Sequence, residues 1–286
     1  MGFFSSWLFK SGLSFAPEDG KGTASSAYGG LGMALGNNGF NVIGALFLSQ
    51  FRLGFIVFGI FTFAGVLIAT LIVHEPSNLD ETSTKKKEKF SLKKCKVNFS
   101  FLANWRDYYL ALIGKMFQGV GNFAITGYIL YIMTDFLHRG NQTQSSIQLV
   151  NMIMLIFGIL MGLVAGPLSN KFKILKLPVG LSTILLAIAG LSLFFLRNNT
   201  GIILYALAAG LGMGLWNALD NLLNLKVIPD QNRVAFFLGV YNLGNTITQA
   251  IAPVLAAAVI SLFGYSGIFI VSFIFFLDWW YFNAID

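Results

Sequence analysis

Seven stretches of the chain contain no Asp, Glu, Lys or Arg and are each about long enough to cross a lipid bilayer, which takes about 20 apolar residues as a helix. They are residues 22–51, 53–73, 116–134, 140–170, 177–196, 198–219 and 234–277. The last stretch is interrupted by Phe263-Gly264-Tyr265, so it accounts for two helices. We therefore expect eight membrane-spanning helices, near 24–50, 53–73, 106–136, 146–169, 176–196, 201–225, 234–262 and 265–283.

The composition excludes the soluble classes of protein. Charged residues make up 11% of the chain against about 25% in soluble domains, and the mean hydropathy is +0.71. The net charge of +7 does not indicate a nucleic-acid partner, because seven lysines fall within residues 85–96. Continuous apolar runs favour helices over barrel strands, which would alternate. The predicted fold class is thus an all-α polytopic membrane protein, with the lipid bilayer as partner and no nucleic acid.

The loop charges predict the orientation of these helices. With the N-terminus in the cytoplasm, fifteen Lys and Arg residues lie inside and only Arg52, Arg139 and Arg197 lie outside. Cytoplasmic loops carry such an excess of positive charge. We expect a multi-pass protein of the cell (plasma) membrane with both termini in the cytoplasm.

The first two predicted helices repeat the last two at an offset of 212 residues. Residues 17–21 (Pro-Glu-Asp-Gly-Lys) align with residues 229–233 (Pro-Asp-Gln-Asn-Arg), and ten identities fall within the 47 positions 17–63. The unit between equivalent points is therefore six helices. A lysine-rich loop separates the first copy from the later helices.

Two six-helix units joined by a basic loop resemble the major facilitator superfamily of transporters. The loop Gly166-Pro-Leu-Ser-Asn170-Lys171-Phe-Lys173 resembles that family's loop motif, with Gly166 and Lys171 matching and Asn170 replacing an acid. The resemblance implies helices 5–12 of twelve, with the first four missing. It divides the chain into an N-terminal segment 1–16 (a remnant of helix 4 or a surface segment), the last two helices of the N-terminal half (17–73), a cytoplasmic linker (74–104) and a C-terminal six-helix bundle (105–286).

Polar residues recur on single faces of the helices that line the transport path in the resembled fold. Steps of three and four residues keep such side chains on one face. They predict a hydrated, substrate-binding cavity, because amides both donate and accept hydrogen bonds; hydrogen bonding between helices is the alternative. The candidates are Asn37 and Asn41, Lys115, Gln118, Asn122 and Tyr128, Trp216, Asn217 and Asn221, and Asn242, Asn245 and Gln249.

Two charges inside predicted helices stand out. Lys115 is either a contact for solute or coupling ion, or a lysine whose head extends to the surface. Asp220 is either a protonation site or a latch with Lys171 or Arg233 in one conformation. The predicted gating set is Gly166, Asn170, Lys171, Asp220 and Arg233.

The predicted function is secondary active transport of a small polar solute by alternating access, with a sugar–cation symporter as first choice. A drug or metabolite exporter is the second interpretation. A truncated, non-transporting fragment is the third, whose missing N-terminal helices would lie on a separate chain. No Ser/His/Asp set, phosphate loop or metal-ligand spacing supports an enzyme, and no cofactor is expected beyond a proton or sodium ion as coupling ion.

Overall fold

The computed structural model describes residues 50–72, 105–172, 176–230 and 234–284, with six isolated positions between 32 and 47. The predicted helix near 24–50, the linker 74–104 and the segment 1–16 lie essentially outside the described residues. The chain divides into two compact units, Leu46–Asn104 and the remainder. Each unit is described by itself.

The unit Leu46–Asn104 contributes one described helix, α1 (Phe51–Ile72). Its 22 residues span about 33 Å at 1.5 Å per residue, which is the thickness of a bilayer core. Most of its large apolar side chains are exposed, including Phe55 at 77% and Phe63 at 71%.

The described part of the larger unit consists of helices joined by short loops. They are α2 (Arg106–Thr126), the one-turn α3 (Ile129–Tyr131), α4 (Thr143–Phe172), α5 (Lys176–Phe195), α6 (Asn199–Val227), α7 (Val234–Phe263) and α8 (Tyr265–Ala284). The predicted helix over 106–136 is not continuous: α2 ends at Thr126 with Gly127 as its C-cap, and α3 runs into a π-helix at Ile132–Phe136.

Helix α6 is the centre of the fold. It packs along both α4 and α5, while α2 packs along α7 and α8. The apolar span of α6 is 61% buried, against 17% for that of α7. Trp216, Leu219 and neighbouring residues of α6 form an apolar cluster with Ala165 of α4 and Val179 of α5.

Glycines set the spacing of these helices. A Cβ added at Gly214 of α6 would lie 2.5 Å from the Gly158 carbonyl oxygen of α4, and one at Gly210 would lie 2.9 Å from the Met154 Cα. The Gly210-x-x-x-Gly214 spacing on α6 thus lets the backbones of α6 and α4 approach closely.

The ends of the helices follow their sequence signals. Asn198 caps α6, since its side chain accepts a hydrogen bond from the Gly201 N–H at 3.0 Å. Gly264 has φ of +69° and separates α7 from α8, where the sequence predicts a break.

Four described helices are long and apolar enough to cross a membrane: Gly140–Pro167, Leu177–Phe195, Asn199–Val227 and Phe236–Phe263. Two shorter apolar segments, Arg52–Ile68 and Tyr265–Leu277, accompany them. The predicted all-α polytopic membrane fold is confirmed.

Candidate functional site

The polar face of α2 turns into the protein rather than toward the surface. Lys115 is 6% exposed and Gln118 is 4% exposed, in a helix that begins nine residues before Lys115 at Arg106. Asn122, one turn further on, is half-buried. The charged and amide side chains of α2 therefore lie in an apolar interior. Burying polar groups there costs free energy unless they have hydrogen-bonding or ionic partners.

Lys115, Asp220 and Tyr241 form one buried cluster that joins α2, α6 and α7. The Lys115 Nζ lies 2.6 Å from Asp220 Oδ2, with both side chains 8% exposed. The Tyr241 hydroxyl donates to Asp220 Oδ1 at 2.7 Å. The Lys115 Nζ also lies 4.1 Å from the centre of the Tyr241 ring. Both carboxylate oxygens are thus engaged, and the ammonium has a carboxylate and an aromatic face as partners.

Aromatic packing next to this cluster holds α2 against α7. The Tyr108 hydroxyl donates to the Phe237 carbonyl oxygen at 2.7 Å, and the two rings lie 5.1 Å apart. Trp105 packs edge-on against Phe237 at 5.2 Å. Because Phe237 precedes Tyr241 by one helical turn, these contacts fix the position of the Tyr241 ring beside Lys115.

Two glycines allow this crossing of α2 and α7. A Cβ at Gly119 would lie 2.7 Å from Thr248 Oγ1, and one at Gly244 would lie 2.8 Å from Leu112 Cδ1. The backbones therefore approach closely on both sides of the cluster. This close approach brings the Lys115 ammonium to the face of Tyr241.

The predicted residues on α6 have different surroundings. Asn217 is half-buried, whereas Trp216 is 5% exposed within the apolar cluster against α4 and α5. The side chain of Asn221 lies outside the described part of the structure. Asn224, on the same face as Asp220, is 1% exposed, and its Oδ1 has no hydrogen-bond partner among the described residues.

The remaining solute candidates extend away from the ion pair. Gln118 Nε2 lies 3.8 Å from the Met213 sulfur of α6, and the Tyr128 hydroxyl donates to the Pro253 carbonyl oxygen at 3.1 Å. On α7, Asn242 and Asn245 are half-buried and Gln249 is exposed. Asn41 is one of the isolated described positions and is exposed, and Asn37 lies outside the described residues.

The predicted gating set is only partly visible. Gly166 is buried in α4, but Arg233 and the side chains of Asn170 and Lys171 lie outside the described part of the chain. In this conformation the Asp220 carboxylate is paired with Lys115 and Tyr241. The Lys115 head consequently lies inside the protein instead of extending to the surface.

Sequence reasoning named Lys115 and Asp220 separately and missed Tyr241. The signal was present, because Tyr241 lies four residues before Asn245 and thus on the polar face of α7. Within the described ranges, no group of three His, Cys, Asp or Glu side chains could hold a metal ion.

Comparison with known proteins identifies the family. No curated protein matches the chain at a significant level. The sequence model of the Major Facilitator Superfamily matches residues 1–233 and, in a second alignment, residues 111–284. This family consists of transporters in the membrane and not of enzymes. The chain is therefore a multi-pass membrane protein that belongs to the Major Facilitator Superfamily.

Proposed function

We propose that the chain carries out secondary active transport of a small polar solute by alternating access, and that a sugar taken up with a cation is the first solute class to test. The observation that carries this proposal is the buried cluster of Lys115, Asp220 and Tyr241. It joins three helices that would line the path in the resembled fold. Membership of a transporter family supports a transported solute without identifying it.

A buried ion pair contributes little net stability to a folded protein. Removing two charges from water costs several kcal/mol per ion, and their attraction only partly offsets that cost. Ionisable groups retained inside a membrane protein therefore point to function. In this proposal, a solute or coupling cation competes for Asp220 or Lys115, so that the pair opens in one conformation and closes in the other.

Neutral amides on the same three helices as the buried cluster favour a hydroxylated solute. Asn122, Asn217, Asn242 and Asn245 are half-buried, and each offers a donor and an acceptor. Hydroxyl groups both donate and accept, so amides match them better than a row of like charges would. Trp216 is left out of this solute set because it packs in the apolar cluster. Asn37, Asn41, Asn221, Tyr128 and Gln249 remain predicted contacts.

The rest of the proposal concerns topology and gating. Residues 17–73 and 105–286 would belong to the two halves of the transporter, with 74–104 as cytoplasmic linker and both termini in the cytoplasm at the plasma membrane. Gly166, Asn170, Lys171 and Arg233 would act at the cytoplasmic gate. In one of the two conformations of the transport cycle, the Asp220 carboxylate would leave Lys115 and pair with Lys171 or Arg233 instead.

Uptake by the full chain in proteoliposomes tests the proposal. Radiolabelled monosaccharides and disaccharides are offered under an inward proton gradient, an inward sodium gradient or no gradient. We expect saturable uptake of at least one sugar, raised by one of the two gradients. If the proteoliposomes release a preloaded lipophilic dye but take up no sugar, the sugar proposal is overturned in favour of a drug or metabolite exporter. No flux from folded protein would overturn transport by this chain alone, leaving a requirement for a partner chain.

A further inference from the structure

We propose that a pocket at one end of the larger unit binds a small oxyanion, either a carboxylate or a phosphate. The inference does not rest on the proposed transport of a sugar. The pocket has a volume of about 490 Å³ and opens where the loop after the π-helix meets the start of α6. We call it the arginine pocket; its lining is Leu137, His138, Arg139, Gln142, Arg197, Asn198 and Asn199.

The charge of the arginine pocket is of one sign. Arg139 and Arg197 contribute two guanidinium groups, and the described residues of its lining include no Asp or Glu. The nearby carboxylate of Asp135, outside the lining, accepts the Tyr265 hydroxyl at 2.7 Å and interacts electrostatically with His138 of the lining. The 29-residue α6 begins at this pocket and adds the positive end of its dipole.

Both arginines keep donors available for a ligand. Arg139 donates from Nη1 to the Asn199 side chain, and its Nε is buried without a hydrogen-bond partner in the described part of the chain, so a ligand would bind the other guanidinium N–H groups of Arg139. The Arg197 guanidinium lies 4.4 Å from the centre of the Phe136 ring, and its nitrogens have no acceptor among the described residues. Guanidinium groups bind carboxylates and phosphates through paired N–H donors.

The position of these arginines on the chain strengthens the inference. The loop charges predict only three arginines on the non-cytoplasmic side, and two of them converge here from loops 58 residues apart. Arg139 is held by Asn199 and Arg197 by the Phe136 ring, so both are positioned before a ligand arrives. A preorganised pair loses less side-chain freedom on binding than two mobile arginines would.

The shared chemistry is an oxyanion with two possible sources, a dissolved carboxylate or phosphate and the phosphate of an anionic lipid. Titration calorimetry on the full chain in phosphatidylcholine nanodiscs tests the first source with inorganic phosphate and acetate. Native mass spectrometry of the chain from phosphatidylglycerol-containing nanodiscs tests the second. The variants are Arg197→Gln, Arg139→Gln and the control Arg52→Gln, which removes the third predicted non-cytoplasmic arginine.

We expect binding of at least one probe, weakened about tenfold or more by Arg197→Gln and by Arg139→Gln and unchanged by Arg52→Gln. Arg197→Lys keeps the positive charge but not the paired N–H donors. Its affinity for the probe should therefore lie between those of the parent and of Arg197→Gln. Because Arg197 makes no hydrogen bond to any described residue, its replacement tests the site even if Arg139→Gln unfolds the protein. Retention of phosphatidylglycerol alone, lost in the same variants, would identify a lipid headgroup as the source. Equal binding by all variants, or no binding of any probe, would overturn the inference.

Discussion

Asp220 of α6 accepts a hydrogen bond on each of its carboxylate oxygens, from Lys115 Nζ at 2.6 Å and from the Tyr241 hydroxyl at 2.7 Å. The three residues come from α2, α6 and α7, so the cluster ties α2 to two consecutive helices that lie much later in the sequence. Loss of Lys115 would leave the Asp220 charge unpaired in an apolar interior, whereas loss of the Tyr241 hydroxyl would remove only a hydrogen bond. The first two predictions rest on this arrangement.

Removing one charge of the pair should destabilise the protein more than removing both. Lys115→Met or Asp220→Asn leaves the partner charge buried, at a cost of about 3–5 kcal/mol. The double variant buries no charge and should recover most of that loss. Unfolding titrations in mixed micelles measure the coupling, with Asp107→Asn, an exposed acid of α2, as control. Additive effects of the two single changes would contradict the pairing.

Removal of the Tyr241 hydroxyl alone should have a smaller effect. Tyr241→Phe keeps the ring beside Lys115 but takes a hydrogen bond from a buried carboxylate, which is worth about 1.5–3 kcal/mol. Tyr241→Leu also removes the aromatic face and should cost more. The same unfolding titration compares both with Tyr109→Phe, whose hydroxyl makes no hydrogen bond in the described structure. Equal stability of Tyr241→Phe and the parent would show that the hydroxyl is not needed.

Gly214→Ala should push α6 away from α4. The new methyl group would lie 2.5 Å from the Gly158 carbonyl oxygen, and backbone atoms cannot yield as a side chain can. We expect a loss of about 1–3 kcal/mol, as for other overpacked sites. Gly239→Ala in α7 is the matched control, because apart from its chain neighbours and the nearby backbone of α7 no atom of the described residues lies within 4 Å of its added Cβ. That variant should be neutral or gain up to about 1 kcal/mol in helix propensity. Thermal unfolding of the two variants, measured side by side with the parent, tests this prediction. Equal stability of Gly214→Ala and Gly239→Ala would contradict it.

Asn198→Ala should loosen the start of α6. The Asn198 side chain accepts the Gly201 N–H at 3.0 Å, and loss of such a cap costs about 1 kcal/mol. Hydrogen exchange at the first turn of α6 should rise, while exchange in its centre should not. Asn141→Ala, an exposed residue of the short turn Gly140–Gln142, serves as control. Unchanged exchange in Asn198→Ala would mean that the cap contributes nothing.

Much of the fold could be predicted from the sequence because apolar runs and loop charges are local signals. The helix bounds differ by a few residues, as for 146–169 against Thr143–Phe172, and Gly264 marks the junction of α7 and α8. The break at Gly127 was missed, because the apolar run continues through it without a charge. A π-helix keeps the same composition as an α-helix, so hydropathy does not distinguish them.

The candidate site was predicted in part. Lys115 and Asp220 stood out because charges are rare inside apolar helices, but their pairing depends on how α2 and α6 are rotated against each other. Spacing within one helix does not give that rotation. Trp216 illustrates the same limit: its neighbours Asn217 and Asp220 are polar, yet the structure packs it against Ala165 and Val179.

The central claim is that the Lys115–Asp220 pair belongs to the transport machinery and is not merely structural. Sugar uptake by proteoliposomes containing equal amounts of folded parent, Lys115→Met/Asp220→Asn and Tyr109→Phe tests it most directly. The account predicts that the double variant loses at least about tenfold in uptake, equivalent to about 1.4 kcal/mol in the rate-limiting barrier. Tyr109→Phe should transport like the parent. A folded double variant that takes up sugar at the parent rate would contradict the account.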